Sequence, residues 1–288
     1  MATTCKIGLQ QVTSAIGAVI EGVDLRAPLA PETVRTIRQA LLDHCVVFFR
    51  DQNLDTEQMR AFVSYFGKPV TTPFTTAAMR ETDPVTVGDL LPSKHSTAIW
   101  HTDTTYVREP SMVTALRAIR LPPVGGDTCW SSMFAAYDAL SAPMRRMLDP
   151  LTAVHSVLPV MQLLGPDMAE DYQDNIGIHG AENIHPVIRL HPESGRKALY
   201  VNKAWVTRIV ELEPAESDRV LALLFEHIKS PDFTMRWRWS PNDLAIWDNR
   251  SVQHYAVPDY TSERVMQRVE LAGDRPFGPA ALNGGRTS

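Results

Sequence analysis

The sequence predicts a mainly β protein with flanking helices, built as a sandwich or barrel of jelly-roll type. Three observations carry that expectation. Short apolar or alternating runs recur along the chain, among them "CVVFFR", "MVTALRAIRLP", "HPVIRLH", "DLAIWDNR" and "RVMQRVELAG", and clusters such as "PESGRK" and "VPDYTSE" punctuate them as turns do. Helical periodicity is confined to a few segments near the first third and on the flanks. The 288 residues, 44% hydrophobic and 21% charged, are enough for one sizeable soluble core.

The elements follow in order. "KIGLQQVTSAIGAVIEGVDL" is rich in β-formers and glycine and reads as strands and turns. "LAPETVRTIRQALLDH" changes period, with Pro31 in a first helical turn and Val34, Ile37 and Leu41 at helical spacing. "CVVFFR" is a buried strand, and "LDTEQMRAFVSYFG" a second helix capped by Asp55 or Thr56 and stopped by Gly67. Strands at "MVTALRAIRLP" and "VGGDTCWSSM" lead into two short helices in "MFAAYDALSAPMRRMLDPL". "HPVIRLH" and "ALYVN" flank a turn, then "EPAESDRVLALLFEHIKS" is a helix. "FTMRWRWS", "DLAIWDNR" and "RVMQRVELAG" are three further strands. Residues 1–288 are expected to form one domain, with candidate lid loops at 68–99 and 157–184 and a loose tail after 275.

Composition narrows the function. A formal charge of −5 and a pI near 6.0 argue against a nucleic-acid binder, which carries a basic face. No apolar stretch reaches the ~18 residues of a membrane span, and "MATTCKIGLQQ" lacks a signal-peptide pattern, so a cytoplasmic protein is expected. Cys5, Cys45 and Cys129 are odd in number and widely spaced, as reduced thiols are.

The chemistry begins at "WHTDTTY". On a strand, His101 and Asp103 would project to one face, as two teeth of a chelate. Nine histidines make a chance His-x-Asp common, so a third group decides. "IWDNRSVQHYAV" places His254 just after a strongly patterned strand. Two histidines and one carboxylate on a β scaffold make the facial triad of non-haem Fe(II) oxygenases, which leaves three coordination positions free. The rival pair, His191 and Glu193, lies at a Pro-Glu-Ser-Gly turn and is more simply read as hairpin-end polar residues. A zinc-dependent hydrolase using the same His/Asp/His set is the alternative, because catalytic zinc also takes three protein ligands.

Downstream, Arg264, Met266 and Arg268 alternate in "SERVMQRVEL" and so share one strand face. Guanidiniums on an inward face need anionic partners, and each is shaped for a carboxylate. Two arginines therefore imply two anions, of which one could be the far carboxylate of a 2-oxo acid chelating the metal and the other a substrate's own anionic group.

The chain resembles the taurine dioxygenase family of Fe(II)- and 2-oxoglutarate-dependent dioxygenases. "GAVIEGVDL", "VVFFRDQ", "WHTDTTY", "GGDTCWSSMFAAYDAL", "HPVIRLHPESGRKALYVN", "WDNRSVQHYAVPDY" and "RVMQRVELAGDRP" carry the likeness nearly end to end. The resemblance implies a double-stranded β-helix, ferrous iron on His101, Asp103 and His254, and 2-oxoglutarate and dioxygen as cosubstrates. It also implies that Thr128 and Arg264 hold the far carboxylate of 2-oxoglutarate and that Arg268 meets the substrate's anion. A homo-oligomer, dimer or tetramer, is a further implication. The substrate side departs from the taurine pattern: Thr72, Thr75 and Thr97 stand where that pattern has His, Tyr and Asn. Trp205 falls at an aromatic position lining the substrate, with Phe74 able to extend that wall. "GRKALYVN" and "HSVLPV" are similar to aryloxyalkanoate dioxygenases, and alkyl sulfate ester dioxygenases are a further match. The expected reaction hydroxylates a small organic anion (sulfonate, sulfate ester or aryloxyalkanoate) beside its heteroatom, giving succinate, CO2 and a carbonyl product.

Overall fold

The computed structural model describes residues 7–70, 86–89, 98–163 and 180–279. The chain opens with β1 (Gly8–Gln11) and β2 (Ala18–Glu21), and passes through α1 (Pro31–His44) to β3 (Val46–Phe49). α2 (Thr56–Ser64), β4 (Pro69–Val70) and β5 (Thr86–Asp89) follow. Next come β6 (Val113–Arg120), β7 (Thr128–Ser132), α3 (Met133–Asp138) and α4 (Ala142–Leu148). The middle of the chain forms β8 (Thr152–Ser156), α5 (Leu158–Leu163), β9 (Glu182–Pro186), β10 (Ile188–Leu190), β11 (Lys197–Leu199) and β12 (Val206–Ile209). α6 (Pro214–His227) precedes β13 (Thr234–Trp237), β14 (Leu244–Asp248), β15 (Val252–Ala256) and β16 (Val265–Leu271).

Eight strands make the main sheet in the order β1-β2-β3-β14-β6-β16-β4, with β5 also paired to β16. Three-stranded sheets β13-β7-β15 and β12-β8-β9, and the hairpin β10-β11, complete the β architecture. This is the jelly-roll arrangement the strand pattern predicts, and most pairings are antiparallel.

Alternation explains how the layers divide. Val46 and Phe48 of β3 join one core cluster with Trp130, Trp247 and Val252, while Val47 and Phe49 join a second with Ile37, Leu41, Met59 and Phe62. Leu244 and Ile246 of β14 face the helices, and Ala245 and Trp247 face the smaller sheets. A strand buried on both sides loses its polar alternation, which is why "CVVFFR" reads as a continuous apolar run. Each fully buried Phe or Val contributes roughly 1.5–3 kcal/mol relative to exposure, so the main sheet is a partition sealed on both faces.

The helices obey their local signals. α1 carries Pro at its start and ends at Cys45, whose φ of +67° breaks the helix while its N–H returns to Leu41. α2 has a capping box between Asp55 and Gln58, as the Asp-Thr-Glu-Gln run predicts. Its C-cap is Tyr65, so Gly67 is not the stop. A Cβ on Gly67 would lie 2.4 Å from Met112 Cε, so the end of that flexible side chain would have to shift to admit one.

Three loop expectations are refined. "WHTDTTY" is not a strand: His101 makes an isolated bridge to His254, and residues 103–106 form a turn with Thr104 at φ +51°. At the ends of the expected 157–184 lid, Val157 and Val160 are buried in a cluster with Tyr106 and Trp205 and β9 pairs with β8, while residues 164–179 lie outside the described residues. At the start of the expected tail the Phe277 carbonyl accepts from the Leu190 amide at 2.8 Å, and residues 280–288 lie outside the described residues. Most of the lid region at 68–99 lies outside the described residues.

Candidate active site

Main-chain register brings the two histidines together. The His101 amide donates to the His254 carbonyl at 3.1 Å, and the His254 amide returns the bond at 2.8 Å. Residues paired this way in antiparallel strands point their side chains to one face. The imidazole centroids lie 4.1 Å apart. The turn after His101 carries Asp103 back beside them. Its Oδ1 is 3.7 Å from His101 Nε2 and 3.5 Å from His254 Nε2. All three side chains are buried, and their ligand atoms lie within 4.8 Å of one another.

The donor chemistry fits a divalent metal. His101 Nδ1 sits 2.6 Å from the Ile99 carbonyl. That contact assigns the proton to Nδ1 and leaves the Nε2 lone pair facing the cluster. His254 Nδ1 is buried with no partner among the described residues, and it is Nε2 that faces Asp103. The three ligand atoms are near enough for one cation to reach all of them after modest side-chain adjustment. Burial pushes both imidazoles below their ordinary value, with Asp103 opposing the shift. Burial pushes the Asp103 carboxyl up, but Arg268, then His254 and His101, hold it below the ordinary carboxylate range. Two neutral imidazoles and one carboxylate are the protonation states that bind metal.

A chain of hydrogen bonds fixes the carboxylate. Thr114 Oγ1 donates to Asp103 Oδ2 at 2.7 Å, Asn249 Nδ2 to Thr114 Oγ1 at 2.8 Å, and Trp247 Nε1 to Asn249 Oδ1 at 2.9 Å. Trp205 Nε1 donates to the Thr102 carbonyl, between the two candidate ligands, at 2.9 Å. Trp205 also packs on Tyr106 at 5.2 Å, so this side chain braces the turn from behind. Thr114 and Asn249 were not singled out from sequence: Thr114 lies on β6, the neighbour of the strand that carries Arg268, and Asn249 in the turn after β14.

The two arginines have different surroundings. Arg264 is 2% exposed and its Nε donates to the Gly126 carbonyl at 2.9 Å. Its Nη2 lies 3.4 Å from Thr128 Oγ1, which also receives the Trp239 indole N–H at 3.0 Å. No carboxylate pairs with Arg264 among the described residues. Burial pushes its guanidinium below the ordinary value, and a buried cation of this kind calls for an anion from outside the chain. This fits the distal carboxylate of a 2-oxo dicarboxylic acid. Gly125 and Gly126, at φ +82° and +75°, shape the wall, and a Cβ on Gly126 would meet Arg264 Cδ at 3.0 Å.

Arg268 is different. Its Nη2 lies 2.7 Å from Asp103 Oδ1 and also bonds the Glu270 carboxylate. Glu270 is fully buried and accepts from Ser111 Oγ. The inference of two missing anions therefore holds for Arg264, while Arg268 already has protein carboxylates. Glu270 was missed, although its spacing from Arg268 in "RVEL" puts both on one strand face. Thr72, Phe74 and Thr97 lie outside the described residues.

The rival pair has another role. His191 Nε2 lies 3.0 Å from Asp248, Arg250 makes a two-pronged contact with Asp248, and Glu193 bridges Arg250 and Arg38. That network ties the β10–β11 hairpin to the end of β14. Two clefts of about 550 and 530 Å³, both lined by His185 and Arg275, touch none of the residues of the triad.

Comparison with known proteins follows the same lines. The family model described as taurine catabolism dioxygenase TauD, TfdA family matches residues 9–269. An alpha-ketoglutarate-dependent sulfate ester dioxygenase of Pseudomonas putida is 38% identical, over 95% of this chain and 92% of that protein. An (S)-phenoxypropionate/alpha-ketoglutarate dioxygenase of Sphingobium herbicidovorans is 33% identical, over 93% and 96%. The crystal structure of a taurine dioxygenase from Burkholderia xenovorans superposes with a TM-score of 0.81 at 36% identity, covering 95% of this chain and 93% of that one.

Proposed function

Because this chain belongs to the TauD, TfdA family of dioxygenases, we propose that His101, Asp103 and His254 hold its ferrous ion and that Thr128 and Arg264 hold the far carboxylate of its 2-oxoglutarate. The protein is an Fe(II)- and 2-oxoglutarate-dependent dioxygenase that hydroxylates a small organic anion beside its heteroatom. The single observation behind the residue assignment is the convergence of three buried ligand atoms within 4.8 Å. The matched relatives give the zinc hydrolase reading no support.

Iron, when bound with 2-oxoglutarate and dioxygen, supplies the oxidising power that places one oxygen atom on the substrate carbon, with succinate and CO2 formed. The hydroxylated carbon bears the heteroatom, so the product collapses to a carbonyl compound and releases the leaving group. The residues of the chain do the rest. Arg264 and Thr128 orient the cosubstrate, Arg268 orients the substrate's anionic group, and Thr114 with Asn249 keeps Asp103 turned toward the histidines. Orientation of this kind removes entropy from the barrier. Thr72, Thr97 and Phe74 belong to the substrate side of this reading, whereas Trp205, expected there from sequence, supports the 103–106 turn from behind. A sulfate ester, a sulfonate and an aryloxyalkanoate all remain within the proposed class, and a cytoplasmic dimer or tetramer is part of it.

The test is substrate-dependent succinate release across a panel of alkyl sulfates, sulfonates and aryloxyalkanoates, together with metal analysis. His101→Ala is expected to lose both bound metal and succinate formation. A variant that kept its metal and turned over normally would remove the triad from the account.

A further inference from the structure

Arg268 reaches the active site already paired. Glu270, two residues on and on the same inward face of β16, accepts from Arg268 Nη2 through Oε1. Its Oε2 accepts from Ser111 Oγ, which itself accepts from Thr104 Oγ1 at 3.3 Å. Burial pushes the Glu270 carboxyl up and Asp103 adds to the rise, while the charge of Arg268 and the hydrogen bonds from Arg268 and Ser111 favour the anion. Glu270 is also directly across the sheet from Thr114, the residue bonded to Asp103. Its side chain is wholly buried, while that of Arg268 keeps 27% exposure. An incoming substrate can therefore meet Arg268 but not Glu270.

Two consequences follow from this arrangement. Glu270 pins one corner of a long flexible side chain. It also offsets the charge that would attract an anion. With a divalent cation and the dianion of 2-oxoglutarate in place, the charges of Asp103, Glu270, Arg264 and Arg268 bring the pocket to zero. Without the charge of Glu270 the same pocket is left one unit positive.

We propose that Glu270 is a positioning and specificity-determining residue that competes with the substrate's anionic group for Arg268 and restricts the site to singly charged head groups. The inference rests on the reading of Arg268 as the receptor for that group. A sulfate monoester, a sulfonate or a carboxylate adds one negative charge to a neutral pocket. A phosphate monoester adds up to two, against two carboxylates already flanking Arg268, and is disfavoured.

The experiment uses the full chain loaded anaerobically with Fe(II) and 2-oxoglutarate, with hexyl sulfate and hexyl phosphate as probes, binding being measured by calorimetry. Glu270→Gln keeps the shape and an acceptor for Arg268 but removes the charge. It is expected to bind hexyl sulfate about tenfold or more tighter than the natural protein, as a full charge removed across a guanidinium in a partly buried site predicts. The gain should be larger for hexyl phosphate, while the apparent 2-oxoglutarate KM is unchanged. Glu270→Ala, which also loses the pinning contact, is expected to gain less than Glu270→Gln. Arg268→Ala should abolish the difference between the two probes. Sulfate binding that Glu270→Gln weakens or leaves alone, or binding in neither protein, overturns the inference. Binding indifferent to Arg268→Ala overturns the reading beneath it as well.

Discussion

Arg264, just before β16, and Arg268, four residues on within it, differ in one respect that matters for chemistry. The first has no carboxylate partner among the described residues, and the second lies between Asp103 and Glu270. Two residues of one type are thereby assigned to unlike tasks, one awaiting an external dianion and one balanced from within.

The division predicts a split in kinetics. Arg264→Ala should raise the apparent 2-oxoglutarate KM, a loss on the order of 2–5 kcal/mol for a desolvated ion pair, with a smaller effect on the organic substrate. Arg268→Ala should do the reverse. Steady-state curves with each reactant varied in turn check this, and equal losses for both reactants in both variants contradict it.

Thr114 lies behind Asp103, hydrogen-bonded to its Oδ2 and to Asn249. Thr114→Val keeps the volume and removes the hydroxyl. Residues that orient a metal's own ligands typically account for 10–100-fold in affinity, and a weakening of about that size is expected. Equilibrium titration of the stripped protein with Mn(II) measures it directly, and an unchanged affinity would show that the relay is incidental.

Asp248 is buried with His191 and Arg250. Burial pushes its carboxyl up, but Arg250 overcomes this and holds it below the ordinary range. Asp248→Asn leaves a buried guanidinium short of a partner, and a loss of about 3–5 kcal/mol in unfolding free energy is expected. Urea denaturation at neutral pH reads this out; a loss under 1 kcal/mol would mean Glu193 compensates.

Acid sensitivity should come from a histidine pair away from the triad. His155 and His185 pack with ring centroids 5.0 Å apart. Burial pushes His185 down to about 4, and burial together with His185 pushes His155 well below its ordinary value. The unfolded chain takes up protons first, so this contribution is intact above about pH 6.5 and is lost as pH falls toward 4. For His185 the loss approaches about 3 kcal/mol. His185→Gln can still donate to the Val107 carbonyl but cannot titrate. Its stability should fall less than that of the natural protein between pH 7 and 5; parallel curves would refute this.

The proposed site was legible where a short motif carries chemistry. His101, Asp103 and His254 are recognisable from residue type and spacing, and Arg264 from its place on an inward strand face. The helices and the buried strands were legible because Pro31, the Asp55 cap and the run "CVVFFR" act locally. What escaped was non-local. The pairing of His101 with His254 replaces the expected strand with a bridge and a turn, since Thr104 takes a left-handed backbone that no alternation reveals. Glu270 was readable as sharing a face with Arg268, yet its burial depends on Ser111 and on the register between β6 and β16. β8 and β12 gave no clear signal, because "TAVHS" and "VTRI" are short and mixed in polarity.

The reciprocal amide bonds between residues 101 and 254 carry one more consequence. The imidazoles are brought together by peptide groups, which remain whether or not an ion is present. Removing the iron with a chelator should leave a shaped and empty socket, so its departure and return become a reversible loading step separate from folding. The working fraction of the enzyme then follows the supply of ferrous ion around it, and a starved preparation is dormant and recoverable by adding the metal back.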